Sequence, residues 1–143
     1  MREFYDYVLI DNMPSLGILT VNSLMASDYV IVPIEPSYLA FKGLEMINHT
    51  ITEVKKYNQR LELLGTVITM VDERTKHGRE IIRRIHEGYP YFEPVIKRSV
   101  KFADAAANGA SITDFAGAAF DGSVGYASVA EQIIAKTGRK ISK

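Results

Sequence analysis

Residues 8–17 of the chain read VLIDNMPSLG, an apolar run that ends in an acid and a turn. Residues 7–10 are apolar on both faces and largely β-branched, which is typical of a parallel strand covered on both sides by helices. Pro14 stiffens the turn after Asp11, and Gly17 leaves the backbone free to approach a ligand closely. The pattern therefore predicts a buried strand that delivers Asp11 to a functional loop.

Apolar runs and amphipathic stretches alternate along the rest of the chain. We predict strands at residues 29–34 and 65–71, a short extended piece at 91–96, and helices at 15–26, 42–57, 78–87, 102–107 and 123–136, the first of them capped by Ser15. Strands that alternate with helices indicate an α/β fold, with a mostly parallel sheet flanked by helices. We expect one domain over residues 1–143, with a basic, frayed tail at 137–143.

The composition limits the classes of function. A chain of 143 residues with 47% hydrophobic and 24% charged residues suits one domain with a core and excludes a disordered protein. No apolar run approaches the roughly 20 residues that span a bilayer, and the N-terminus is not a signal peptide. The absence of cysteine excludes disulfides and thiolate chemistry. These features fit a cytoplasmic protein with no membrane partner.

Three acids, Asp11, Glu35 and Asp72, lie at or just past the ends of predicted strands. Ligands of parallel sheets bind at the carboxyl ends of the strands, so we expect these acids to share one functional edge. A carboxylate such as Asp11 can hold Mg²⁺, usually through water, because this cation prefers hard oxygen ligands. The alternative is an aspartate that only starts a turn and is capped by backbone amides. The strand pattern alone does not choose between them.

Several segments, in a fixed order, cover almost the whole chain: YDYVLIDNMPSLG at 5–17, NSL at 22–24, VIVP at 30–33, LAFKGL at 39–44, GTVITMVDERT at 65–75 and VIKRSVKFADA at 95–105. Together they resemble the ParA/MinD-like, deviant Walker ATPases, specifically the ParA (Soj) type of chromosome and plasmid partition. The resemblance is specific because the segments agree together, whereas any one of them alone would be weak. It implies an incomplete P-loop NTPase-like domain.

The resemblance also implies an activity and a set of site residues. The family dimerises with ATP and Mg²⁺, binds DNA nonspecifically on the nucleoid, hydrolyses ATP and is stimulated by a ParB-like partner. Asp11 would be the catalytic acid that holds Mg²⁺ through water. The switch loop that senses the γ-phosphate would comprise Asn12, Met13, Pro14, Ser15 and Gly17. The residues beside the nucleotide base would be Thr69, Met70, Asp72, Lys97, Arg98 and Ser99. The chain departs from the family at Met13 and Lys97, where proline is usual, and at Ser99, where asparagine is usual.

The sequence contains no copy of the phosphate-binding pattern G-x-x-x-x-G-K-[ST]. Residues 117–123 have its glycine spacing but no lysine, and they precede a helix instead of following a strand. Without the amides and the lysine that hold the phosphates, we predict that these residues alone neither hydrolyse ATP nor bind it tightly. We therefore expect the C-terminal portion of a ParA-type ATPase domain. The alternative is a non-catalytic DNA- or protein-binding and dimerisation module derived from such an ATPase.

A basic segment runs from Arg74 to Lys101, with eight Lys or Arg against three Glu in a chain of zero net charge. Such asymmetry suits a patch for a phosphate backbone, whereas the alternative is a solvated helix face. The resemblance places the family's DNA-binding residues in this half. The predicted DNA-binding residues are Arg74, Lys76, Arg79, Arg83, Arg98 and Lys101. No aromatic residues interleave for base stacking, so binding would be independent of sequence and sensitive to salt.

The predicted strand at residues 7–10 also has a consequence for assembly. In the resembling fold this strand is central and lies beside the P-loop strand. Without that neighbour, its edge would offer unpaired backbone groups and apolar faces to solvent, which is a liability for strand pairing. We predict self-association through this end, either by strand pairing or by burial of the exposed face.

Overall fold

The computed structural model describes residues 4–13, 15 and 17–138 of the chain. The elements are α1 (Ile18–Ala26), β1 (Tyr29–Ile34), α2 (Tyr38–Lys55), β2 (Glu62–Ile68), α3 (Lys76–Gly88), α4 (Val100–Ala107), α5 (Ile112–Ala116) and α6 (Asp121–Thr137). The predicted α/β class, with a parallel sheet flanked by helices, is confirmed. Over the ranges described, no helix has the length and apolar character needed to cross a membrane.

The sheet is built from β1 and β2, which pair in parallel and end with Ile34 opposite Ile68. The register shifts once, between Val30 and Ile31. The other edge of β2 carries residues 90–97, which join the sheet through two single parallel bridges. These bridges are Thr66 with Tyr91 and Val71 with Lys97. The carboxyl end of this two-stranded sheet therefore lies beside the end of the segment 90–97, which leads into α4.

Three clusters of buried side chains hold the helices against the sheet. The first joins the ends of β1 and β2 to α2 and α3: Ile34, Leu44, Ile68, Val71, Ile81 and Ile85. The second joins β2, the segment 90–97 and α6: Leu64, Val67, Phe92, Ile96 and Val129. The third lies between α1, α2 and the residue before β2: Leu24, Ile51, Val54 and Leu61. Helices therefore pack on both faces of the sheet, as expected for βαβ units.

The predicted strand at residues 7–10 is wrong. This segment pairs with no strand in the part of the chain that the structure describes, and the side chain of Leu9 is 88% exposed. An apolar run becomes a buried strand only where a neighbouring strand satisfies its backbone groups and another layer covers its side chains. The segment instead lies near the end of α6, where the hydroxyl groups of Tyr7 and Thr137 share a 2.7 Å hydrogen bond.

The first two helices begin at residues that differ from the prediction. α1 begins after Gly17, with no side chain as its cap, and the predicted cap residue Ser15 lies outside the helix. The carbonyl of Ser15 instead accepts a 2.5 Å hydrogen bond from the hydroxyl of Thr20. α2 begins four residues earlier than predicted because the hydroxyl of Ser37 caps it, accepting a 3.2 Å hydrogen bond from the amide of Ala40.

Of the remaining boundaries, both ends of β1 and the C-terminal ends of α1 and α4 are confirmed, and the others differ by one to three residues. β2 spans 62–68 instead of 65–71. It starts earlier because Glu62 pairs with Tyr29, the first residue of β1. It ends earlier because Met70 has a φ of 54° and the chain then turns from β1 toward residues 96–98. The short helix α5 was not predicted. α6 includes Thr137 and ends at Gly138 in a left-handed conformation. The other residues of the predicted tail, 139–143, lie outside the described residues.

Candidate functional site

The carboxyl ends of the two strands and the segment before α4 form one edge. The amide of Thr69 donates a 2.8 Å hydrogen bond to the carbonyl of Ile34, which ties the end of β2 to β1. Beyond it, the amide of Val71 donates to Ile96 at 3.1 Å, and the amide of Arg98 donates to the carbonyl of Val71 at 3.0 Å. The structure thus brings together the two segments that the sequence assigned to the base side, residues 69–72 and 97–99.

Two members of the base-side set have distinctive local structure. Met70 adopts a positive φ, and its side chain is exposed at this edge. Ser99 is the N-cap of α4, and its hydroxyl accepts a 3.3 Å hydrogen bond from the amide of Lys101. Because that hydroxyl is engaged in capping, Ser99 fixes where α4 begins and therefore where Lys101 lies.

Asp72 and Arg74 form a two-point ion pair in the loop between β2 and α3. The guanidinium of Arg74 donates from Nη2 to Oδ2 at 2.7 Å and from Nε to Oδ1 at 2.9 Å. Its backbone amide also donates to Oδ1, at 3.1 Å. These hydrogen bonds from Arg74 lower the pKa of Asp72 to about 2, so the carboxylate is ionised at neutral pH.

Two longer-range ion pairs connect the segment before α4 to its neighbours. Arg98 Nη2 lies 2.7 Å from Oε1 of Glu35, the residue that directly follows β1. Lys97 Nζ lies 3.1 Å from Oε1 of Glu73. The backbone carbonyl of Glu73 also accepts a 2.8 Å hydrogen bond from Arg79 of α3. Charged groups from β1, the β2–α3 loop, α3 and the segment before α4 therefore meet at this edge.

The predicted DNA-binding residues, here called the basic surface, are Arg74, Lys76, Arg79, Arg83, Arg98 and Lys101. Three of them, Arg74, Arg83 and Arg98, are ion-paired to carboxylates. Lys101 Nζ lies 4.6 Å from the ring centre of Phe120, and the ammonium group of Lys76 has no ion-pair or hydrogen-bond partner within the described ranges. The spacing of Lys76, Arg79 and Arg83 places them on one face of α3, away from its buried isoleucines.

Asp11 is not one of these ion-paired residues. It lines an open groove of about 570 Å³ whose walls are formed by residues between 10 and 26. Asn12, Met13, Ser15 and Gly17 line the same groove, whereas Pro14 of the predicted switch loop lies outside the described residues.

The strand that was expected to carry Asp11 to the edge of Glu35 and Asp72 is not formed in the described residues. Glu35 and Asp72 do not line the groove of Asp11. Asp11 was expected at the end of a strand and residues 7–10 form none, so the reason for expecting it at that edge does not hold. Across the described parts of the chain, no three His, Cys, Asp or Glu side chains are grouped to hold a metal ion.

The groove of Asp11 nevertheless contains polar groups that suit a hydrated cation or a phosphate. Asp11 and the amide oxygen of Asn12 are hard oxygen ligands of the kind that Mg²⁺ prefers. The first turn of α1 lines the same groove, and no side chain caps its free amides. Such uncapped amides at a helix N-terminus favour an anion.

Sequence patterns did not identify Glu35 and Glu73 as partners of the basic surface. Glu35 and Arg98 are 63 residues apart, and neither belongs to a helix in which spacing would reveal the pair. The only available signal was the position of Glu35 directly after a predicted strand. That position indicates the edge but not the partner.

Comparisons with known proteins agree with this fold. A family model described as an AAA domain matches residues 1–63. The chromosome-partitioning ATPase Soj of Treponema pallidum is 34% identical over 143 residues, covering 98% of this chain and 56% of that protein. Soj of Thermus thermophilus is 38% identical, covering 94% of this chain and 55% of its own length. The chain thus spans about half the length of the curated relatives it matches.

Among solved structures, a cobyrinic acid a,c-diamide synthase of Mycobacterium smegmatis superposes with a TM-score of 0.63 at 31% identity, covering 91% of this chain and 48% of that one. The same protein has been solved with ADP and magnesium and with an ATP analogue and magnesium, each with a TM-score of 0.60. By its sequence and its fold, the chain belongs to the ParA/Soj-type family of partition ATPases.

Proposed function

We propose that this chain supplies the DNA-contacting surface and the magnesium-nucleotide switch loop of a ParA-type partition protein. It would act in the cytoplasm on the nucleoid, bind duplex DNA without sequence preference, associate with itself and respond to a ParB-like stimulator. ATP hydrolysis would require a phosphate-binding loop of the kind G-x-x-x-x-G-K-[ST], which the 143 residues do not contain.

The observation that carries the DNA proposal is that Glu73 joins the basic residues of α3 to those before α4. Its carbonyl accepts from Arg79, and its carboxylate pairs with Lys97, which directly precedes Arg98. The face of α3 and the segment before α4 therefore form one stretch of surface. All members of the basic surface are exposed, as phosphate contacts require.

The nucleotide proposal rests on the groove of Asp11. Asp11 would hold Mg²⁺ through water, and the residues up to Gly17 would change position with the γ-phosphate. A bound Mg²⁺-ATP would supply the phosphoryl group and part of the charge that stabilises its transfer. Residues 69–72 and 97–99 would lie beside the base, and the ADP- and ATP-analogue-bound structures of the Mycobacterium smegmatis relative support this class of ligand.

The DNA proposal is tested by fluorescence anisotropy with a random-sequence duplex across a salt series. If three to six phosphates are contacted, the logarithm of the affinity should fall against the logarithm of salt with a slope of about −3 to −5. Lys76→Gln should weaken binding about two- to fivefold and make the slope shallower by about one.

The matched control is Lys55→Gln. Lys55 is also exposed and lacks an ion-pair partner within the described ranges, but it lies at the end of α2, away from the basic surface. Its loss changes the net charge equally and should leave the slope unchanged. No binding at low salt, an affinity independent of salt, or equal effects of the two variants would contradict the proposal.

The second test measures ATP turnover by the purified 143 residues with Mg²⁺. We expect phosphate release no faster than that of an Asp11→Asn variant, because no lysine and no loop of amides hold the β- and γ-phosphates. Turnover that depends on both Mg²⁺ and Asp11 would show that the chain builds a phosphate cradle by other means and would overturn this expectation.

A further inference from the structure

The ion pair between Glu35 and Arg98 differs from the other ion pairs of the basic surface. Arg83 pairs with Glu80 and Glu87 within its own helix, and Arg74 pairs with Asp72 two residues away. Arg98 instead reaches across the edge of the sheet to a carboxylate 63 residues earlier in the chain, at 2.7 Å. Its partner is therefore fixed by the fold and not by local sequence.

The backbone is held on both sides of this pair. Glu35 stands between Ile34, which is buried at the end of β1, and Ser37, the cap of α2, whose amide donates to the carbonyl of Glu35 at 2.7 Å. Arg98 is anchored by its own amide to Val71, and Ser99 caps α4 directly after it. Because both backbones are fixed, the pair forms with less loss of conformational entropy than a pair on mobile loops.

Among the described residues, no carboxylate other than that of Glu35 forms an ion pair with Arg98. Asp72 is close enough for Arg98 to contribute to its lowered pKa, but the hydrogen bonds from Arg74 are the larger cause. Glu73 pairs with Lys97. An anion that approached Arg98 would therefore compete mainly with Glu35.

We propose that Glu35 competes with phosphate for Arg98 and so limits the affinity of the basic surface for duplex DNA. The inference rests on the DNA binding proposed above and adds a residue that regulates it. Oε1 of Glu35 occupies the Nη2 donor of the Arg98 guanidinium, and an oxygen of a phosphodiester would use the same kind of donor. Release of Arg98 would add one phosphate contact.

The test compares two glutamates of similar exposure whose ion pairs have the same length. Glu35 pairs with Arg98 and Glu53 pairs with Lys56, each at 2.7 Å, and the two glutamate side chains are 48% and 50% exposed. Glu35→Gln and Glu53→Gln each remove one negative charge and free one cation. We expect Glu35→Gln to tighten duplex binding about two- to fivefold, because DNA would no longer have to break an exposed ion pair to reach Arg98. The salt slope should steepen by about one contact, and Glu53→Gln should change neither quantity.

Two further arms identify the mechanism. In an Arg98→Gln background, Glu35→Gln should no longer tighten binding, because the guanidinium for which Glu35 and phosphate compete is absent. Titration with ADP alone separates a nucleotide phosphate from the DNA backbone as the anion at Arg98. The competition is overturned if the two glutamate variants behave alike, if the gain persists without Arg98, or if Glu35→Gln strengthens ADP binding but not DNA binding. If neither the unmodified chain nor Glu35→Gln binds duplex DNA at low salt, the proposed function fails as well.

Discussion

At the scale of single residues, the loop between β2 and α3 depends on the contact between Asp72 and Arg74. Three hydrogen bonds from Arg74 hold the carboxylate in its ionised form. The same loop presents Glu73 to Arg79 and Lys97. The Asp72–Arg74 pair therefore orders the point where the parts of the basic surface meet, although it uses the charge of Arg74 to do so.

This contact predicts a measurable titration. The carboxyl carbon of Asp72, followed by NMR, should titrate near pH 2 instead of its ordinary 3.8. Because the folded-state pKa is lowered, the pair contributes to stability above about pH 4, and the contribution is lost as the pH falls toward 2. Arg74→Gln should return the pKa of Asp72 toward its ordinary value. Arg83→Gln, which removes an arginine paired elsewhere on the basic surface, should leave it low.

At the scale of elements, sequence patterns predicted the strands and helices whose positions depend on local sequence alone. β1 was located at both ends because an apolar run stands between turn residues. The helices were located because their buried stripes repeat at helical spacing, and their starts were missed where the cap residue, such as Ser37, was not recognised. The strand at residues 7–10 could not be excluded from its own pattern, because strand formation depends on a neighbour elsewhere.

The candidate site was predictable to a similar extent. The edge containing residues 69–72 and 97–99 followed from the rule that loops after parallel strands meet, together with the family resemblance. The ion pair between Glu35 and Arg98 and the lack of a strand at residues 7–10 were not predictable. Both depend on which segments become neighbours in three dimensions, and the spacing of charged residues along the chain does not indicate which segments these are.

The contact between β2 and the segment 90–97 gives an element-level prediction. Gly65 lies under the fully buried ring of Phe92, and a Cβ at this position would stand 2.7 Å from Cε2 and 3.0 Å from Cδ2. Gly65→Ala should therefore lower the free energy of unfolding by about 1–3 kcal/mol, because a rigid ring in a packed core cannot move freely. Urea unfolding followed by circular dichroism measures this change.

Gly43→Ala is the matched control for that experiment. Gly43 lies inside α2, and a Cβ there would meet nothing within 4 Å. The same substitution should raise the free energy of unfolding by about 0.5–1 kcal/mol, because alanine loses less backbone entropy in a helix. If both variants were equally destabilised, the close packing of Phe92 on Gly65 would not be the cause.

At the scale of the whole molecule, the largest departure from an ordinary monomer is the apolar surface near the N-terminus. Its exposed side chains, here called the N-terminal apolar surface, are Phe4, Tyr5, Val8, Leu9, Ile10, Met13, Ile18 and Leu19. Scattered exposed apolar residues are normal, but a concentration of this kind in one stretch of sequence is typical of an interaction site. The surface includes part of the groove of Asp11, so whatever covers it would also change the access of a nucleotide to that groove.

Self-association through this surface is the last prediction. Leu9→Glu should shift the chain toward monomer in sedimentation velocity measured over a concentration series, because a buried unpaired carboxylate opposes burial of the surface. Leu39→Glu is the matched control, since Leu39 in the first turn of α2 is 82% exposed against 88% for Leu9, and it lies outside the N-terminal apolar surface. The control should associate like the unmodified chain. A chain that is monomeric at every concentration, or one that loses association equally with either variant, would show that this surface is not the interface. Loss of association in Leu9→Glu alone would place the contact beside Asp11, where assembly and nucleotide access could act on the same residues.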